Sequence, residues 1–99
     1  MIAELKIYKD CSSEEPINTY TIRRMPSYVT AKMTDILTKI QEKGMSNEDA
    51  MTEFDSLFKM LFPEITDEEL RLADFGDKME VIYAIARHYN SIGANALKN

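Results

Sequence analysis

The sequence predicts a small α+β fold in which an N-terminal two-stranded antiparallel β-hairpin precedes about four α-helices. Near the N-terminus apolar and polar side chains alternate as in a strand, and further along apolar side chains recur at helical spacing. The length of 99 residues suits one domain with one modest core. We therefore expect a single domain over residues 1–99, with a hairpin at 2–24, a helical part at 27–92 and a flexible tail at 93–99.

The hairpin is predicted from two stretches that a polar loop separates. In residues 2–9 the apolar side chains of Ala3, Leu5 and Ile7 alternate with charged or polar ones, the pattern of a half-buried strand. Residues 17–24 are rich in threonine, tyrosine and isoleucine, which favour strands. Because two strands alone are only marginally stable, we expect the hairpin to pack against helices.

The first helix is predicted to begin near Pro26 and Ser27, residue types that favour the first helical position and the N-cap. Apolar side chains then recur on one face, and Gly44 is a natural residue to end the helix. A second helix is predicted to open with Ser46 as its cap. It should close at Phe62, because a residue that precedes proline avoids the helical conformation.

Two further helices are predicted from capping signals. Thr66 and Glu69 form a capping box, in which each side chain accepts a hydrogen bond from the backbone N–H of the other residue. The Phe-Gly pair at 75–76 is interpreted as a break, after which Asp77 would cap a longer helix that ends at Gly93. Since this last helix is apolar on most sides, it should be central in the fold or contact a partner.

Negative charge is concentrated in the second half of the chain and bears on which partners the protein can bind. Residues 45–99 carry five basic and eleven acidic side chains, a charge of −6, whereas residues 1–44 carry +1, which gives the net charge of −5. An acidic surface argues against nucleic acid as a partner. Many of these carboxylates fall in predicted first helical turns, where they favour the helix dipole. No apolar run reaches the ~20 residues of a membrane span, so we expect no membrane partner. A single cysteine, Cys11, suits the cytoplasm.

We find no set of residues that would support catalysis, a cofactor or a metal. His88 is the only histidine, and it has no cysteine near it in the sequence with which to bind a metal. Cys11 lies among acidic side chains in a polar loop, which makes it a poor candidate for a nucleophile. The three glycines form no phosphate-binding loop. We therefore expect that the protein is not an enzyme.

The abundance of adaptable and aromatic side chains suggests a protein-binding surface. The chain has seven methionines, five tyrosines and four phenylalanines, and methionine-rich surfaces can repack around different helical partners. The excess beyond what one core needs gives six candidate partner-binding residues: Met51, Met60, Phe62, Leu70, Leu72 and Phe75.

The order of elements, and above all the stretch FPEITDEEL at residues 62–70, resembles the tail assembly chaperones of long-tailed phages and prophages, particularly those of Gram-positive bacteria. The resemblance covers roughly residues 2–92. It implies a non-enzymatic protein that binds the tape measure protein, helps to recruit the tail tube protein and is absent from the finished virion. It also implies action in the host cytoplasm and is compatible with a homo-oligomer.

An alternative follows from the charge alone. A small acidic regulatory module, such as an antitoxin-like protein or an anti-regulator, would use its acidic half to cover a basic surface. Under this interpretation Asp67, Glu68 and Glu69 would make the contact, and reversing their charge would abolish binding.

Overall fold

The computed structural model describes the backbone of residues 1–98 and the side chains of residues 1–91. The elements in chain order are β1 Ala3–Ile7, β2 Asn18–Ile22, α1 Ser27–Lys43, α2 Asn47–Leu61, α3 Asp67–Leu72 and α4 Phe75–Lys98. This confirms the predicted α+β class, with a hairpin followed by four helices. No helix among the described residues combines the length and the apolar character that crossing a membrane requires.

The chain folds into two compact units. Met1–Arg24 and Arg71–Asn99 form the first, which we call the hairpin unit, and Met25–Leu70 forms the second, which we call the α1–α2 unit. Helix α4 therefore belongs with the hairpin, although the whole of α1 and α2 lies between them in the sequence.

In the hairpin unit, β1 and β2 pair antiparallel with Ala3 opposite Ile22 and Ile7 opposite Asn18. Leu5 and Ile7 are fully buried, as the alternation in the sequence predicts. Helix α4 packs against β1. Among the residues of α4 whose side chains are described, the buried apolar ones are Val81, Ile82 and Ile85.

In the α1–α2 unit, the two long helices pack against each other. The buried side chains of α1 are Val29, Met33 and Ile36, and those of α2 are Phe54, Leu57 and Phe58. Ion pairs also join these helices, because Glu53 of α2 accepts hydrogen bonds from Lys32 Nζ at 3.0 Å and Lys39 Nζ at 3.4 Å. Lys39 pairs in addition with Asp35, at 3.1 Å.

Local chemistry sets the ends of α1 and α2 where the sequence predicts them. Gly44 has a φ of 62°, which favours glycine, and its N–H donates to the Ile40 carbonyl at 3.2 Å. Ser46 Oγ accepts from the Asp49 N–H at 3.1 Å and caps α2. Helix α2 ends at Leu61, one residue before Phe62.

The start of α4 differs from the prediction. The helix begins at Phe75, and its cap is Asp74, whose Oδ2 accepts from the Asp77 N–H at 2.9 Å. The interpretation of the Phe-Gly pair as a break, with Asp77 as the cap, is therefore wrong. Aspartate serves equally well at either position, and the earlier start adds helical bonds, such as the one from the Lys78 N–H to the Asp74 carbonyl at 2.9 Å.

The other end of α4 lies beyond the predicted one. The helix runs to Lys98, past Gly93. A glycine inside a helix costs only about 1 kcal/mol relative to alanine, so without a following proline it need not end the helix. The predicted flexible tail at 93–99 lies outside the residues whose side chains are described.

Candidate protein-binding surface

The six predicted partner-binding residues do not form one exposed patch. Phe62 and Leu70 are core residues, with 4% and 3% of their surface exposed. The side chains of Met51, Met60 and Leu72 are half-buried. Of the six, only Phe75 is widely exposed, at 66%. Leu72 and Phe75 lie in the hairpin unit, and the other four lie in the α1–α2 unit.

The burial of Phe62 has a local cause. Its N–H donates to the Phe58 carbonyl at 2.8 Å, which extends the hydrogen bonding of α2 by one residue. The two phenylalanine rings then stack with centroids 6.5 Å apart and planes within 5° of parallel. Phe62 therefore completes the apolar packing of the α1–α2 unit and offers little surface to a partner.

Helix α4 offers a more accessible apolar surface. Phe75, Met79 and Tyr83 follow one another at intervals of four residues, so they lie along one flank of the helix, which we call the α4 flank. Phe75 is 66% exposed and Tyr83 52% exposed, with Met79 half-buried between them. Exposed aromatic side chains at helical spacing are typical of surfaces that bind other proteins.

The helix that carries the α4 flank is stabilised by a cap and by packing. The side chain of Asp74 caps its first turn, and the buried residues Val81, Ile82 and Ile85 lie on another side of α4, which packs against β1. A partner would therefore meet aromatic side chains whose spacing is already set, which reduces the entropy cost of binding.

Three acidic side chains lie at the start of α4, away from the α4 flank. Asp74 caps the helix, and Asp77 and Glu80 line a cleft together with residues of β1, including Lys6. Desolvation is the main cause that raises the pKa of Asp77, and the negative charge of Asp74 adds to it, while Lys6 opposes the shift.

Sequence reasoning missed Tyr83, which is not among the six predicted contact residues. The available signal was an aromatic residue four positions after Met79, in a helix that is apolar on most sides. Its exposure in the structure identifies it as a candidate contact residue.

Cys11 and His88 occupy different settings. Cys11 is exposed in the loop after β1, next to Asp10, whose carboxylate accepts hydrogen bonds from Ser12 and Ser13. The hydrogen bond from Ser13 is the main cause that lowers the pKa of Asp10. His88 is half-buried on α4. No group of histidine, cysteine and carboxylate side chains in the described part of the chain could hold a metal ion.

The acidic residues of α3 are engaged in structural interactions. Glu69 Oε1 accepts from the Thr66 N–H at 3.1 Å, and Thr66 Oγ1 accepts from the Glu69 N–H at 3.0 Å. The predicted capping box is therefore confirmed. Asp67 pairs with Lys59 of α2. Asp67 and Glu69, which an acidic regulatory module would use, thus each have a partner within the chain.

Comparison of the chain with protein-family models finds no matching family, and comparisons with curated proteins and with solved structures find no match.

Proposed function

We propose that this protein is a non-enzymatic tail assembly chaperone of a phage or prophage, which binds apolar helical segments of the tape measure protein and assists assembly of the tail tube. The observation that carries the proposal is the α4 flank, where Phe75 and Tyr83 each expose more than half of their surface. The resemblance of residues 62–70 to tail assembly chaperones suggests the tape measure protein as the partner.

The α4 flank can supply useful binding energy. A phenylalanine or tyrosine side chain has roughly 150–250 Å² to bury, of which about half remains available at each of these positions. Burial of about 100 Å² at each aromatic side chain is worth ~2.5 kcal/mol before the cost of ordering the complex. Two such anchors suit a chaperone, because they hold an apolar helix while allowing its later release to the tube.

In this role the protein acts in the cytoplasm of the bacterial host. It covers apolar surface of the tape measure protein, recruits tail tube protein and is absent from the mature virion. Several copies, separate or associated as a homo-oligomer, would be needed along one long tape measure helix.

The experiment is a binding titration of the purified protein with segments of the tape measure protein of the same phage or prophage, followed by calorimetry. We expect Phe75→Ala and Tyr83→Ala each to weaken binding at least tenfold, because each removes an aromatic anchor.

Tyr28→Ala is the matched control. Tyr28 of α1 is 55% exposed, almost the same as Tyr83, but lies in the other unit. Its replacement should change the dissociation constant less than about threefold, as expected for a residue outside the contact. Equal losses for Tyr28→Ala and Tyr83→Ala, or no binding of any tape measure segment by the unmodified protein, would refute the proposal.

A further inference from the structure

A second feature of the hairpin unit is a cleft of about 540 Å³ between the start of β1, the end of β2 and the middle of α4. Its lining residues are Met1, Ile2, Arg23, Ala84, Arg87 and His88. The cleft thus brings together two arginines that are far apart in the sequence, beside a histidine and apolar side chains. No carboxylate lines it.

Neither guanidinium group has an ion-pair partner among the described residues. The side chains one turn before Arg87 on α4 are Tyr83 and Ala84, and those one turn after it are Asn90 and Ser91, all of them uncharged. Arg87 is therefore not held by an ion pair within its helix.

The helix dipole does not account for Arg87 either. Basic side chains favour the last turn of a helix, and the effect falls off within that turn. Helix α4 spans Phe75–Lys98, so Arg87 stands near its middle. Arg23 and Arg87 line one cleft whose described lining includes no carboxylate, so both positive charges would attract an anion bound there.

We propose that this cleft binds an acidic segment of a partner protein, with partner carboxylates on Arg23 and Arg87 and a partner apolar side chain against Met1 and Ile2. Guanidinium groups bind carboxylates through two parallel hydrogen bonds, which gives both strength and orientation. Met1 and Ile2 supply the apolar surface beside them, with Met1 widely exposed.

The charge balance favours a protein over a nucleic acid as the occupant. A nucleic-acid backbone needs a continuous track of basic side chains, whereas this cleft has two arginines in a chain of net charge −5. A short acidic segment presents its carboxylates locally and meets less repulsion from the rest of the surface. Arg87 lies one turn after Tyr83, so the cleft adjoins the α4 flank. The proposal still holds whether or not the α4 flank binds the tape measure protein, because it is tested with an acidic probe and not with tape measure segments.

The test uses the full chain and a fluorescein-labelled peptide built from Leu-Glu-Glu triplets, followed by fluorescence anisotropy. We expect saturable binding that weakens with added salt, and amide shifts at Ile2 and Ala84 in NMR spectra. Arg23→Glu and Arg87→Glu should each weaken binding at least tenfold, as the loss of a charged partner at an interface does.

Arg24→Glu is the matched control, because Arg24 is exposed next to Arg23, does not line the cleft, and gives the same change in net charge. It should weaken binding less than about threefold, which is the effect of general charge alone. If either glutamate variant fails to fold, Arg23→Gln and Arg87→Gln replace it in the test, and each should still reduce the affinity for the acidic peptide. An equal loss for Arg24→Glu would overturn the proposal, and so would equal binding of single-stranded oligothymidine.

Discussion

Replacing Thr66 by alanine should destabilise the protein measurably, because it removes half of a reciprocal cap. Thr66 Oγ1 accepts from the Glu69 N–H at 3.0 Å, and Glu69 Oε1 accepts from the Thr66 N–H at 3.1 Å. Helix α3 has only six residues, too few to be stable through its own hydrogen bonds. The cap therefore has a large share in holding α3 and its buried Leu70 in place.

The expected magnitude follows from the one hydrogen bond that is lost. Loss of a threonine cap costs about 1 kcal/mol, and up to about 2 kcal/mol where the helix cannot adjust. For a domain of this size, each 1 kcal/mol lowers the melting temperature by roughly 4–8 °C. Urea unfolding followed by far-UV circular dichroism measures the change in the free energy of unfolding directly.

Thr52→Ala provides the control for Thr66→Ala. Thr52 lies inside α2, and its hydroxyl donates to the Glu48 carbonyl one turn earlier, at 3.1 Å. Alanine has the higher helix propensity, so this variant should be neutral or slightly more stable. The reasoning is refuted if Thr66→Ala stays within about 0.5 kcal/mol of the unmodified protein, the range of ordinary surface changes, or if Thr52→Ala costs as much.

Three further predictions follow from packing and charge. Phe62→Ala should lower the free energy of unfolding by about 3–5 kcal/mol in urea titrations, because it empties a core position. Glu53→Gln should lower the melting temperature at neutral pH, since the hydrogen bond from Lys32 is the main cause that lowers the pKa of Glu53. That stabilisation is present above pH 4.5, the ordinary pKa of glutamate, and is lost as the pH falls through the lowered pKa of Glu53. The melting temperatures of Glu53→Gln and the unmodified protein should therefore converge in acid. A difference that persists in acid would show that the ion pair is not its cause. Asp77→Asn should raise the melting temperature at neutral pH, because desolvation and then Asp74 raise the pKa of Asp77 and disfavour its charged form. This gain should vanish below the ordinary value of 3.8, where Asp77 is protonated in both states, and a gain that persists there would contradict the assignment.

The elements and most of their ends could be predicted because they depend on neighbours in the sequence. Gly44 ends α1, Ser46 caps α2, and Thr66 with Glu69 caps α3, each through hydrogen bonds that span four residues or fewer. The start of α4 could not be predicted in the same way, since Asp74 and Asp77 are both good caps. Extra helical hydrogen bonds favour the earlier start.

The accessible surface was harder to predict than the elements. An excess of apolar side chains shows that some must be exposed, but not which ones. Phe62 and Leu70 were predicted as contact residues and are buried, because the packing that covers them depends on contacts that no local pattern records. Tyr83 was not predicted as a contact residue and is exposed, because helical spacing alone does not show which side of a helix the rest of the chain leaves uncovered.

The cap of α4 links local stability to the proposed binding surface. Because α4 begins at Phe75, that ring takes its place one turn before Met79 on the α4 flank. The first turn depends on the Asp74 side chain, worth about 1 kcal/mol, so Asp74→Ala should let it fray and displace Phe75. A loss of ~1 kcal/mol corresponds to about fivefold weaker binding of tape measure segments, without removal of any contact side chain. Asp74→Ser retains a capping oxygen and should bind almost normally, so equal weakening by both variants would show that Asp74 acts through its charge and not through the helix start.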